Sequence, residues 1–111
     1  MPVGAIVKDL ADADLPAFLA ANPNAVLDLW APWCKPCLRI SPVLEELSND
    51  YAGKVAFAKV NTDEHPNTLA RYQIMGLPAV LVFQDGRRVD HITGFTPKPA
   101  LRERFDRAFG F

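Results

Sequence analysis

Cys34 and Cys37 are three positions apart, and the chain has no other cysteine. At the start of a helix, that spacing puts both sulfurs on one side, close enough to bridge without large backbone movement. An N-cap residue faces N–H groups that no carbonyl satisfies, at the positive end of the helix dipole. Both effects favour an anion, so Cys34 in that position is expected to ionise more readily than a free thiol. Cys37, one turn further in, is expected to be shielded and to stay a thiol. These properties divide the labour. Cys34 attacks a disulfide and forms a mixed disulfide, and Cys37 then attacks the sulfur of Cys34 and releases the reduced product. Pro36 lies in the first turn, where its missing N–H matters little.

Other readings of the pair are weaker. A bridge closing so short a loop removes little entropy from the unfolded chain, and reducing compartments seldom keep static disulfides. A lone CxxC can be half of a zinc site, or an inert pair. Only His65 and His91 remain as nitrogen ligands, and they lack the spacing of a zinc pair, so no metal is expected. Both histidines read as surface or loop residues.

The elements that must hold the pair show in the apolar pattern. Residues 5–7 suggest a short strand. Asp9 or Asp12 can cap a helix running to about Ala21, with Leu15, Phe18 and Leu19 on one face. Asn22-Pro23-Asn24 is a turn signal, and residues 25–30 read as a buried strand interrupted by Asp28. A long helix is expected from about Cys34 to Asn49, with Ile40, Val43, Leu44 and Leu47 at helical spacing. Pro42 should bend it. Residues 55–61 form a second inner strand, and a short helix follows Pro66 with Leu69 and Tyr72 inward. Residues 79–83 form an apolar strand, Asp85-Gly86 a hairpin turn, and residues 87–92 the returning strand. Residues 97–109 form a last helix on Leu101, Phe105, Ala108 and Phe109. Alternation at the front implies parallel strands with crossover helices, and the closing hairpin adds antiparallel strands. The expected class is α/β, a mixed five-stranded sheet flanked by four helices, with β1, β2 and β3 parallel and β4-β5 antiparallel.

The chain has 111 residues, enough for one domain, 1–111, with 50% apolar and 23% charged residues. The net charge of −1 gives no field that would recruit nucleic acid or an anionic membrane. After Met1 and Pro2 only a short apolar stretch, 3–7, precedes Lys8 and Asp9, unlike a secretory leader. No run approaches the roughly 18 apolar residues of a membrane span. A soluble, cytoplasmic monomer is expected.

Asp28 leaves two readings open. A buried carboxylate responds with a raised pKa; alternatively, the acid sits at a strand edge and faces solvent. Trp30 reads as core beneath the dithiol. Trp33, outside the helix next to Cys34, reads as part of an apolar docking surface with Leu77 and Pro78.

The run Trp30-Ala31-Pro32-Trp33-Cys34-Lys35-Pro36-Cys37 resembles the active-site motif of the thioredoxin family, WAxWCGPC. The resemblance continues through Asp28, Pro42, Lys59, Gly76-Leu77-Pro78, Gly86 and Gly94. It implies the thioredoxin fold, a redox disulfide between Cys34 and Cys37, and reduction of disulfide-containing proteins. It implies no bound cofactor, with reducing equivalents coming from NADPH through thioredoxin reductase. By the same resemblance Asp28 is the general base for Cys37, with Lys59 as its charge partner on the neighbouring strand. The base rate for X–Pro bonds favours trans at Pro78, but the resemblance implies cis. Leu77 would then hydrogen-bond an extended substrate segment as an added strand, with Gly76 and Gly94 allowing close approach.

Three positions depart from the family pattern. Lys35 replaces glycine, and either its cation favours the Cys34 thiolate, making the pair more oxidising by about 5–20 mV, or it is a tolerated exposed lysine without effect. Leu38 stands where a basic residue is common, and Ala79 where threonine is common; both bear on partner choice and recycling. A competing reading is a binding module that holds partners on the Trp33–Leu77–Pro78 surface, its redox chemistry incidental. A dedicated oxidase or isomerase is disfavoured, because no histidine lies between the cysteines.

Overall fold

Residues 25 to 29 are buried without a break, a pattern that suits a strand covered on both faces. A computed structural model of the chain describes residues 7–111. The elements are β1 (Val7–Asp9), a 3₁₀ turn (Asp12–Asp14), α1 (Leu15–Ala21), β2 (Asn24–Trp30), α2 (Lys35–Asp50), β3 (Ala56–Asn61), α3 (Asn67–Arg71), β4 (Ala79–Gln84), β5 (Arg87–Thr93) and α4 (Lys98–Phe109). Of the strand expected at 5–7, residues 5 and 6 lie outside the described residues, and β1 begins at Val7.

The five strands lie in the order β1-β3-β2-β4-β5. β1 and β2 both run parallel to β3, β4 is antiparallel to β2, and β5 is antiparallel to β4. The chain leaves β3 and re-enters the sheet at the same end, with only the five-residue α3 in the connection, so β4 runs opposite to β2 and β3.

Alternation along the strands sends side chains to two cores. Ala25, Leu27 and Leu29 of β2 join Leu15, Phe18 and Leu19 of α1 on one face. Val26 joins Ile40, Leu44 and Leu47 of α2, and Leu101, Phe105 and Phe109 of α4, on the other. By the same alternation Asp28 faces the α2 side. α2 runs unbroken through Pro42, and its buried stripe pins the helix start at the end of β2. Among the described residues, no helix is long and apolar enough to cross a membrane.

The expected cap at the first helix is corrected. The 3₁₀ turn begins after Ala11 and α1 after Asp14, so neither Asp9 nor Asp12 caps α1. The Asp12 carboxylate instead accepts the N–H groups of Asn67 (2.9 Å) and Thr68 (3.0 Å) and the Thr68 hydroxyl. It caps α3 from across the fold, because Pro66 before that helix has no side-chain acceptor. Burial alone would raise the Asp12 pKa, but the Thr68 and Asn67 hydrogen bonds hold it below the ordinary value. A lowered carboxylate pKa stabilises the fold above about pH 4 and loses that contribution as pH falls. Asp12→Ala is therefore expected to lower stability at pH 7 by about 1–2 kcal/mol in urea titration, whereas exposed Asp9→Ala should stay within about 0.5 kcal/mol of the parent. Equal effects at the two positions would contradict the assignment.

Candidate active site

Four residues connect β2 to α2. The Cys34 N–H donates to the Ala31 carbonyl (3.1 Å), closing a turn that sets Cys34 at the N-cap with extended dihedrals, φ −89° and ψ 104°. The Cys37 backbone N–H then donates to Cys34 Sγ at 3.2 Å. An N-cap side chain does this with oxygen in most helices; here sulfur takes the place, and its thiolate would accept the bond more strongly than its thiol. Cys34 and Cys37 are joined by a disulfide with Cα atoms 5.2 Å apart. Cys34 is 5% exposed and Cys37 1%, the order expected for an attacking and a shielded sulfur. Lys35 and Pro36 occupy the first turn and are exposed.

Beneath the pair is a cavity of about 130 Å³ lined by Asp28, Trp30, Cys37, Leu38, Ser41 and Lys59. Asp28 is 3% exposed, which removes the solvent-facing reading, and its Oδ1 has no hydrogen-bond partner. Burial pushes its carboxyl up to about 7, and the charge of Lys59 pulls it only part of the way back. Lys59 is the register partner of Asp28 on β3, so the two share a face; its Nζ lies 5.5 Å from the Trp30 ring centroid. Trp30 is half-buried and packs on the cluster of Ala31, Cys34 and Cys37, and its indole N–H also lacks a partner. A carboxyl that titrates near neutrality beside Cys37 can take or return a proton at physiological pH. Among the described residues, no three His, Cys, Asp or Glu side chains gather as a metal site.

The rim is apolar. Trp33 is 69% exposed and its indole N–H donates to Asp63 Oδ1 at 3.0 Å. Leu77 is half-buried against the two cysteines, and the Leu77-Pro78 bond is cis. The expected Trp33–Leu77–Pro78 surface needs one correction: Pro78 is buried, so it adds no exposed area to the patch. Its carbonyl accepts the Gly94 N–H at 2.8 Å, which ties the β4 entry to the end of β5. Gly94 has φ +85°, a conformation that favours glycine. A Cβ on Gly76 would meet Thr93 at an ordinary 3.5 Å, so contacts within the fold do not demand glycine there.

Sequence reasoning did not single out Asp63, Ser41, Met75 or Phe95. Ser41 is four residues beyond Cys37, and helical spacing alone would have placed it on the same side. Met75 is 96% exposed and Phe95 is also exposed; each lies within three residues of Pro78 or Gly94.

The raised Asp28 pKa also makes stability depend on pH. The folded state holds the proton between the unfolded carboxylate pKa of about 3.9 and the folded value of about 7. Stability contributed by neutral Asp28 is present below that window and is lost as pH rises through it. Asp28→Asn removes this loss. It should stabilise the protein at pH 8, by up to about 4 kcal/mol, and the gain should shrink towards pH 4.5. Urea midpoints at the two pH values check this, and a gain independent of pH would contradict it.

The comparisons agree with this architecture. The thioredoxin family model matches residues 6–107. Thioredoxins of Staphylococcus aureus strains Mu50 / ATCC 700699, MW2 and N315 are each 47% identical over 103 residues, covering 93% of this chain and 97% of theirs. With the motif at the junction of the central strand and α2, and nearly half its residues shared with proteins it spans almost end to end, this chain belongs to the thioredoxin family of thiol-disulfide oxidoreductases.

Proposed function

We propose that the chain reduces protein disulfides with Cys34 as the attacking thiolate and Cys37 as the resolving thiol. One observation carries this assignment of roles: the Cys37 N–H donates to Cys34 Sγ at the helix start. Cys34 S⁻ attacks one sulfur of the substrate disulfide, forms a new S–S bond and expels the first substrate thiolate. Asp28 takes the proton from Cys37, whose thiolate then attacks Cys34 Sγ. The second substrate thiolate leaves, and the Cys34–Cys37 disulfide closes. Two electrons pass to the substrate, and each released thiolate takes up one proton. This order suits the burial of the groups, since the more exposed sulfur meets the substrate and the deeper one lines the Asp28 cavity.

Trp33, Leu77 and the Gly76 and Gly94 backbones receive an extended substrate segment, with buried Pro78 next to Leu77 in the chain. Lys59 restrains the rise in the Asp28 pKa, and Lys35 adds a modest pull on the Cys34 thiolate. The exchange runs on the two sulfurs and calls for no organic cofactor. An NADPH-dependent thioredoxin reductase returns the disulfide to the dithiol. A dithiol that donates electrons in this way works in a reducing compartment, and we assign the chain to the cytoplasm, acting as a monomer.

Insulin-disulfide reduction by the dithiol form tests this reading. Cys34→Ser should abolish turnover, and Cys37→Ser should accumulate the mixed disulfide on Cys34, visible by intact mass. Asp28→Asn should slow release of the second product on the order of tenfold to a hundredfold at pH 7, with a smaller effect on the first attack. Equal slowing of both steps would remove Asp28 from the mechanism. Full biological function in a Cys34→Ser, Cys37→Ser double variant would favour a binding module instead.

A further inference from the structure

The rim of the dithiol is electrically lopsided. β2 brings the active-site turn to the middle of the sheet, with β3 on one side and β4 and β5 on the other. On the β3 side, Trp33 is bonded to the carboxylate of Asp63, which follows β3. On the β5 side, Phe95 follows Gly94, and the Arg39 guanidinium lies 4.6 Å from the centroid of its exposed ring. Lys35 and Arg39 stand one turn apart on α2, and both are exposed. Among the described residues neither is in an ion pair. Glu46 and Asp50, further along α2, are engaged by Lys98 and Arg102.

Two cations outside any described ion pair therefore lie on the first turns of α2, the helix that carries the dithiol. Stacking on Phe95 restrains the long Arg39 side chain, while the edge of a stacked guanidinium stays open to a carboxylate. The Gly94 N–H bond to the Pro78 carbonyl puts Phe95 one residue from the strip where the preceding section docks substrate. On that reading of the site, we propose that Arg39, held on Phe95 and backed by Lys35, selects disulfide-bearing segments with an acidic side chain beside the reacting cysteine. The attraction acts on encounter and docking, disfavours basic flanks and leaves the sulfur chemistry alone.

The test uses three synthetic peptide disulfides that differ only in carrying Glu, Gln or Lys on both sides of the cysteine. Each kcat/KM with the dithiol protein is divided by the rate of reduction by dithiothreitol, which cancels intrinsic reactivity. The expected order is Glu over Gln over Lys, with about a fivefold span at low salt, narrowing as ionic strength rises. Arg39→Gln should lower the ratio on the Glu peptide about threefold more than on the Lys peptide, and Arg39→Glu should reverse the order. Equal ratios for the three peptides, or an order unaffected by Arg39→Gln, would overturn the proposal while leaving the reductase reading intact. No reduction of the Gln peptide would overturn both.

Discussion

Every role assigned to the dithiol depends on the Cys37 N–H finding sulfur where the rest of the helix offers a carbonyl. The first turn of a helix has donors without partners, and a charged acceptor gains more from them than a neutral one. The bond is worth more once Cys34 is ionised, and that difference is the proposed source of an acidic thiol. The surrounding fold supplies rigidity. β2 is paired on both edges, α2 is anchored through Ile40, Leu44 and Leu47, and only a short turn joins them. The cap can hardly move unless the core moves with it.

Asp28 works against the same core. It sits between Lys59 and Val80 in register, under α2, at a point where an apolar side chain would fit the burial better. Its Oδ1 has no hydrogen bond, and its carboxyl is pushed up to about 7. A residue that weakens the fold at neutral pH yet exchanges a proton there is understandable as a concession of stability to chemistry. The two devices are complementary. The helix start favours the charged form of Cys34, while burial favours the neutral form of Asp28, which in the proposed mechanism makes one the nucleophile and the other the proton carrier.

What could be read from the sequence was local. The spacing of Ile40, Leu44 and Leu47 marked α2, the apolar run broken only by Asp28 marked β2, the unbroken one marked β4, and the N-cap position of Cys34 followed from motif and periodicity together. Features that depend on distant partners did not show. Asp12 has the sequence of a local cap, yet its carboxylate serves α3 more than fifty residues away. Asp63 meets Trp33 only because β3 lies beside β2. The pairing of β4 with β2 joins strands some fifty residues apart in the chain, and the apolar pattern alone does not give that sheet order. The cis bond before Pro78 came from family resemblance, and the burial of Pro78 came only from the structure.

The acidity of Cys34 is the quantity on which this chemistry turns, and alkylation of the dithiol form by iodoacetamide across pH measures it. The rate should titrate at least one unit below the value of about 8.5 for a free cysteine, with the label on Cys34 and Cys37 largely protected. A midpoint at or above 8.5, or equal labelling of the two sulfurs, would contradict the account.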